Sequence, residues 1–174
     1  MRATSTIKEA IHEFKEVFGR DYHGLVEPYR CEDAEYLLVT VGALAEQAKD
    51  AVDRLRKQGM KAGLVKSRYY RPFPTEDLAS LLAGKNLKGI AVVDRSIAHG
   101  SPSGGHISSD FYSVLCQTDK KITYLPAVWG IGGRDVTVED QVGLFEDLRE
   151  FHEGGQVRAG KNKRIAGTLW VGLK

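Results

Sequence analysis

The chain has few cysteines: of its 174 residues only Cys31 and Cys116 are cysteine, and neither belongs to a CxxC or Cys/His motif. Isolated thiols are typical of proteins kept in a reducing compartment, so we expect a cytoplasmic protein with two reduced, structural cysteines. This pattern argues against a zinc or iron–sulfur site built from the chain's own ligands.

Long hydrophobic runs are also missing. The longest runs, YLLVTVGALA and GIAVV, are much shorter than the roughly 20 residues that a membrane-spanning helix needs. The sequence does not open with a basic segment followed by an apolar one, as a secretory signal would. We therefore expect no membrane association.

Positive charge is concentrated near the C-terminal end. The formal net charge is +2, but residues 154–174 contain five basic residues and no acidic one, so the rest of the chain is mildly acidic. A mildly acidic body is not the basic surface that nucleic-acid binding requires. We predict an N-terminal helix over 1–20, one α/β domain over 21–153, and over 154–174 a basic tail that is solvated or docks on a subunit.

Short apolar segments alternate with amphipathic helical segments along the middle of the chain. The segments YLLVTVG (36–42), KAGLVKSRYY (61–70), GIAVVDR (89–95) and KITYLPAVWG (121–130) read as buried strands. This alternation predicts a mostly parallel sheet with helices on both faces. GLVEPYR (24–30) is a further strand that Pro28 confines to an edge, and TLWVGLK contains a possible last β segment.

Three unusual loops follow these strands: RYYRPFP (68–74), DRSIAHGSPSGG (94–105) and WGIGGRDVT (129–137). Right-handed crossovers place all of them at one edge of the sheet. Tyrosine and arginine are enriched at protein interfaces, which favours the first loop as a contact surface, although Phe73 could equally belong to the core. The candidate interface residues are Arg68, Tyr69, Tyr70, Arg71, Phe73, Asp94, Arg95, His99 and Ser101.

The loop over 94–105 admits other interpretations. Asp94 or Ser101 could pair with His99 for acid–base or nucleophilic chemistry, but no GxSxG motif surrounds Ser101 or Ser103. Its glycines let the backbone approach a neighbouring element or another subunit closely.

The loop over 129–137 raises the possibility of anion binding. Backbone N–H groups at a helix N-terminus beside an arginine suit a small anion or a nucleotide phosphate. The candidate residues are Gly132, Gly133, Arg134 and Thr137. The loop has neither a complete GxGxxG motif nor the Lys-Ser/Thr pair of a P-loop, so a structural turn is the competing interpretation. We also expect Thr137 and Asp140 to form a capping box.

Several of these segments resemble one known family. YLLVTVGALAEQAKDAVDRLRKQGMKAGLVKSRYYRPFP, AVVDRSIAHGSPSGG and GIGGRDVTVEDQVGLFEDL are similar to the carboxyl-terminal region of the alpha subunit of pyruvate (2-oxoacid):ferredoxin oxidoreductases. The amino-terminal EFKEVFGRDYHGLVEPYRCEDAEY and the terminal LWVGLK fit the same region. The resemblance thus covers nearly the whole chain, with its motifs in the family's order.

The resemblance implies a transketolase C-terminal-like fold, a three-layer α/β/α sandwich on a five-stranded, mostly parallel sheet with an antiparallel edge strand. The complete enzymes convert a 2-oxoacid and CoA to acyl-CoA and CO2 and pass electrons to ferredoxin. Thiamine diphosphate, Mg²⁺ and iron–sulfur clusters are then expected on other domains or subunits, because this chain has no GDG…N motif and no cysteine cluster. No catalytic residue carries over. We expect a non-catalytic assembly domain in an oligomeric enzyme, with ferredoxin an indirect partner.

Overall fold

A computed structural model describes residues 2–101, 104–118, 121–154, 163–165 and 167–172. Helices and strands alternate through most of this part of the chain. In chain order the elements are α1 (Arg2–Phe18), β1 (Val26–Tyr29), β2 (Tyr36–Val41), α2 (Leu44–Lys57), β3 (Ala62–Ser67), α3 (Thr75–Leu82), β4 (Gly89–Asp94), α4 (His106–Leu115), β5 (Thr123–Val128), a 3-10 turn (Ile131–Gly133), α5 (Val138–His152), β6 (Lys163–Ile165) and β7 (Thr168–Trp170).

The strands form one sheet in the order β1-β3-β2-β4-β5-β7-β6. Strands β3, β2, β4, β5 and β7 run parallel to one another, while β1 pairs antiparallel with β3 at one edge and β6 with β7 at the other. Pro28 lies in β1, where the missing N–H removes no bond from the interior of the sheet. The predicted mostly parallel sheet with an antiparallel edge strand is confirmed.

The number of strands differs from the prediction: the described chain contains seven, not five. Both additional strands come from the segment 154–174, and β7 lies in TLWVGLK, where the sequence indicated a last β segment. Strand β7 continues the parallel sheet by pairing Leu169 with Ala127, and Leu169 is buried. Strand β6 is three residues long and pairs with β7, so a basic sequence without apolar alternation gives no signal for it. Residues 155–162, 166, 173 and 174 of the predicted tail lie outside the described residues.

Two apolar cores cover the two faces of the sheet. Leu38 of β2 packs in one core with α2 and α5, whereas Leu37 and Val39 pack in the other with α3 and α4. Successive side chains of a strand point to opposite faces, so a strand covered on both sides must be apolar throughout. The three-layer α/β/α sandwich is therefore confirmed, and it leaves the loops after β3, β4 and β5 at one margin, which we call the carboxyl edge.

Candidate interface at the carboxyl edge of the sheet

Asp94 ends β4 at the carboxyl edge and holds the start of α4. Its carboxylate accepts hydrogen bonds from the backbone N–H groups of Ile107 (2.8 Å) and Ser108 (3.0 Å) and from the Ser108 hydroxyl (2.6 Å). A carboxylate at a helix N-terminus satisfies donors that the helix itself leaves unpaired. Asp94 is only 1% exposed. Its side chain therefore serves the interior of the domain and is not presented at the surface.

Gly105 makes this arrangement possible. A Cβ atom at Gly105 would lie 2.0 Å from Cγ of Asp94, far inside van der Waals contact. At the preceding position, a Cβ on Gly104 would lie 2.9 Å from Cγ2 of Thr168 in β7. The glycines of this loop thus allow a close approach to neighbouring elements of the same chain, one of the two alternatives that the sequence left open.

The remaining candidate residues of this loop do not assemble a catalytic pair. Arg95 and His99 are exposed, and the Ser101 hydroxyl lies 3.2 Å from the Ser109 hydroxyl of α4. Among the residues that the structure describes, no hydrogen bond joins His99 to Asp94 or to Ser101, and Asp94 is already engaged by α4. The loop is braced internally instead, because the Ala98 N–H donates to the Gly104 carbonyl at 2.8 Å.

The loop after β3, RYYRPFP (68–74), presents two side chains outward. Tyr70 is 45% exposed, and the Arg71 guanidinium lies 4.1 Å from the centroid of its ring. Arg71 also pairs with Asp110 of α4 at 2.7 Å and is itself half exposed. The stacking of Tyr70 with Arg71 and the ion pair with Asp110 restrict the rotamers of both side chains. Less side-chain conformational entropy is therefore lost when a partner binds.

The other side chains of this loop face the domain. Phe73 packs against the core formed with α3 and α4, so the core interpretation of this residue is correct. Arg68 lies 4.9 Å from the ring centroid of Tyr22 and 3.5 Å from the Glu27 carboxylate. Tyr69 is half-buried, and its carbonyl accepts a hydrogen bond from the Ser67 hydroxyl at 3.0 Å.

The third loop, after β5, is a tight turn. Gly130, Gly132 and Gly133 all have left-handed backbone conformations, with φ of 61°, 68° and 79°. Arg134 donates a hydrogen bond to the Gly172 carbonyl beyond β7. These contacts join β5 to the end of β7, and the repeated positive φ explains the glycines without a ligand.

The N-terminus of α5 is filled by its own first turn. Thr137 and Asp140 form the predicted capping box: the Thr137 hydroxyl accepts from the Asp140 N–H at 3.1 Å, and the Asp140 carboxylate accepts from the Thr137 N–H at 3.0 Å. A carboxylate thus occupies the position where a bound anion would lie. The helices α4 and α5 both begin at a carboxylate of the chain itself, an arrangement that does not fit the diphosphate of a thiamine cofactor.

An ion cluster that the sequence did not predict lies beside the loop after β3. Lys49 of α2 contacts Glu27 of β1 at 2.7 Å and Glu46 at 2.8 Å, and Lys66 of β3 pairs with Glu46. Hydrogen bonds from Lys49 and Lys66 lower the pKa of Glu46 to about 2, and the same carboxylates raise the pKa of Lys49. Of these ion pairs, only Glu46–Lys49 could be predicted from the sequence, because the two residues are three positions apart on one helix. The other pairs depend on strand order. The cluster fastens the edge strand to α2.

Comparisons with known proteins now bear on this geometry. Residues 34–141 match a family model described as pyruvate:ferredoxin oxidoreductase core domain II, and the match covers more than half of the chain. The chain belongs to this family. The family resemblance inferred from the sequence motifs is thereby confirmed.

Curated relatives of this domain II chain are subunits of two oxidoreductases. The pyruvate synthase subunit PorA of Methanothermobacter thermautotrophicus is 36% identical over 173 residues, which is 99% of this chain and 39% of that protein. The ketoisovalerate oxidoreductase subunit VorA of Pyrococcus horikoshii is 37% identical over 155 residues, covering 89% of this chain and 38% of that protein. The chain therefore spans about two fifths of the length of these relatives.

A solved structure supports the fold. The 2-oxoglutarate:ferredoxin oxidoreductase of Magnetococcus marinus matches with a TM-score of 0.52 at 20% identity, over 80% of this chain and 23% of that one. Within the described residues we find no group of three His, Cys, Asp or Glu side chains placed to hold a metal ion. None of the helices described has both the length and the apolar character for crossing a membrane.

Proposed function

We propose that this chain is a non-catalytic domain of a thiamine-diphosphate-dependent 2-oxoacid:ferredoxin oxidoreductase alpha subunit and that its role is assembly. The complete enzyme converts a 2-oxoacid and CoA to acyl-CoA and CO2 and reduces ferredoxin. In this proposal thiamine diphosphate, Mg²⁺ and the iron–sulfur clusters are held by other domains or subunits. A cytoplasmic location and an oligomeric enzyme belong to the same proposal.

The observation that carries the proposal is the contrast between the polar side chains of the carboxyl edge. Asp94, the acidic residue best placed for chemistry, is enclosed by α4, while Tyr70 and Arg71 are turned outward as a stacked pair. Exposed tyrosine and arginine in a fixed geometry suit a protein contact better than a reaction. Membership of the domain II family and the greater length of the curated relatives support the same role.

The experiment is purification of the tagged 174-residue chain from its native host, with every co-purifying protein identified by mass spectrometry. We expect subunits of a 2-oxoacid:ferredoxin oxidoreductase. The complex should reduce ferredoxin when given pyruvate and CoA or another 2-oxoacid and CoA, whereas the isolated chain should show neither turnover nor thiamine diphosphate binding. Turnover by the isolated chain, or recovery of the chain without oxidoreductase subunits, would overturn the proposal.

A further inference from the structure

Helix α1 has an apolar stripe that the two cores of the domain do not include. Ile7, Ile11, Phe14 and Phe18 follow one another at spacings of four, three and four residues, which places them on one face of the helix. The first three are half-buried but belong to neither core. At the end of the helix, Val17 and Phe18 are 73% and 63% exposed.

The helix lies along the loop after β3. Near its start, Lys8 pairs with Asp77 at 2.9 Å, across a cleft of about 560 Å³ that α1 forms with residues 71–77. Near its end, the Phe14 ring centroid is 4.5 Å from that of Phe18 and 5.3 Å from that of Tyr22. Tyr22 in turn stacks under Arg68, the first residue of the loop.

These contacts connect the exposed end of α1 to the first residue of the loop. The rings of Phe18, Phe14 and Tyr22 follow one another, and the Arg68 guanidinium packs on the last of them. Tyr70 and Arg71 of the loop after β3 are exposed nearby in the sequence. Apolar side chains that lie together at the surface, as Val17 and Phe18 do at the end of α1, can mark a contact surface. Aromatic and arginine side chains are the types that carry most binding energy at such surfaces.

We propose that the partner surface of this domain extends from the loop after β3 onto α1, with Phe18 and Val17 as its apolar anchors. The occupant is the part of the alpha-subunit architecture that this chain does not match. Two observations support that occupant: Tyr22 links α1 to the first residue of the loop proposed for assembly, and the relatives have about three fifths of their length outside the match. This inference rests on the proposed function.

The test compares variants of the full chain for binding to the partner recovered from the native host, measured by biolayer interferometry. The double variant Val17→Lys/Phe18→Lys should bind at least about tenfold more weakly, because charged groups replace two apolar anchors. Val17→Lys alone, at a residue without a ring contact, should show a smaller loss in the same direction. Both variants should keep the wild-type melting temperature, since the replaced side chains are mostly exposed.

Ile165→Lys is the matched control, because Ile165 is an exposed apolar residue of β6, at the opposite edge of the sheet. It should bind within about twofold of wild type. Equal binding by the double variant and wild type would overturn the α1 surface and leave the assembly role standing. If wild type recovers no oxidoreductase subunit, both proposals fail. Self-association of the chain that the double variant abolishes would show that the occupant is a second copy, which contradicts the occupant proposed here.

Discussion

The loops after β3 and β4 leave the same edge of the sheet, yet the first presents Tyr70 and Arg71 outward while the second begins with Asp94 turned inward, so we call them the outward and the inward loop. Helix α4 begins directly above the end of β4, at Gly105, and has no side-chain cap of its own, so Asp94 of the strand supplies one. After β3, the chain passes through Pro72 and Pro74 before α3 begins, and this detour keeps Tyr70 and Arg71 at the surface. The position of the next helix, more than the loop composition, decides whether these side chains are buried or exposed.

The largest effect is expected from a substitution that separates Asp94 from the start of α4. Gly105→Ala places a Cβ atom on the Asp94 carboxylate, so the buried hydrogen bonds to α4 must break or the helix must move. We expect the free energy of unfolding to fall by about 3 kcal/mol or more, measured by urea denaturation. Gly143→Ala in α5 is the matched control, because a Cβ there meets open space and alanine favours the helix. Equal stability of the two variants would contradict the contact between Gly105 and Asp94.

The outward loop should respond in the opposite manner. Tyr70→Ala should weaken binding to partner subunits by about 2 kcal/mol, because a truncated interface aromatic commonly loses that much. The same change should lower the free energy of unfolding by no more than about 1 kcal/mol, since only the exposed stacking with Arg71 is lost.

Tyr112→Ala on α4 removes a comparably exposed tyrosine outside the loop and should leave partner binding unchanged. If Tyr70→Ala unfolds the domain while the affinity of the folded fraction is unaltered, the loop is structural and the contrast with the inward loop disappears.

The third loop allows a direct choice between a structural turn and an anion site. Gly133→Ala should destabilise the domain by more than about 1 kcal/mol, because alanine is strained at a φ of 79°. Arg134→Ala should cost less than about 1 kcal/mol, because the arginine is exposed. An anion site predicts instead that sulfate raises the melting temperature more in wild type than in Arg134→Ala. We expect equal shifts in the melting temperatures of wild type and Arg134→Ala. Sulfate also stabilises proteins by exclusion from their surface, and this effect is the same in both proteins.

The smallest effect is expected from the ion cluster that links β1 and β3 to α2 through Glu27, Glu46, Lys49 and Lys66. The pKa of Glu46 is lowered from an ordinary value of 4.5 to about 2 in the folded chain, so its stabilising effect is present above pH 4.5 and disappears as pH falls toward 2. Because Glu46 is exposed, the loss should stay below about 1 kcal/mol. Glu46→Gln should therefore lower stability at pH 7 but match wild type at pH 2, by urea denaturation at both values.

The sequence predicted the parts of the fold that depend on local pattern. The buried strand over 36–41 and the capping box of Thr137 follow from apolar runs and from residue spacing of three, and both are confirmed. The role of Asp94 could not be predicted, because its partners lie 13 and 14 residues away and meet it only through the crossover to α4. Strand β6 was not predicted, because backbone groups carry its pairing and its basic sequence shows no apolar alternation. The interface assigned to Tyr70 and Arg71 stays a prediction.

The two antiparallel strands at the margins of the sheet limit how this domain can associate with other proteins. Both are short, β1 carries a proline, and Glu27 of β1 is tied to Lys49. Such margins discourage the addition of a foreign strand, and with it uncontrolled polymerisation of one sheet onto the next. We therefore expect a domain terminated in this way to contact its neighbours through helices and loops and not through the edges of its sheet.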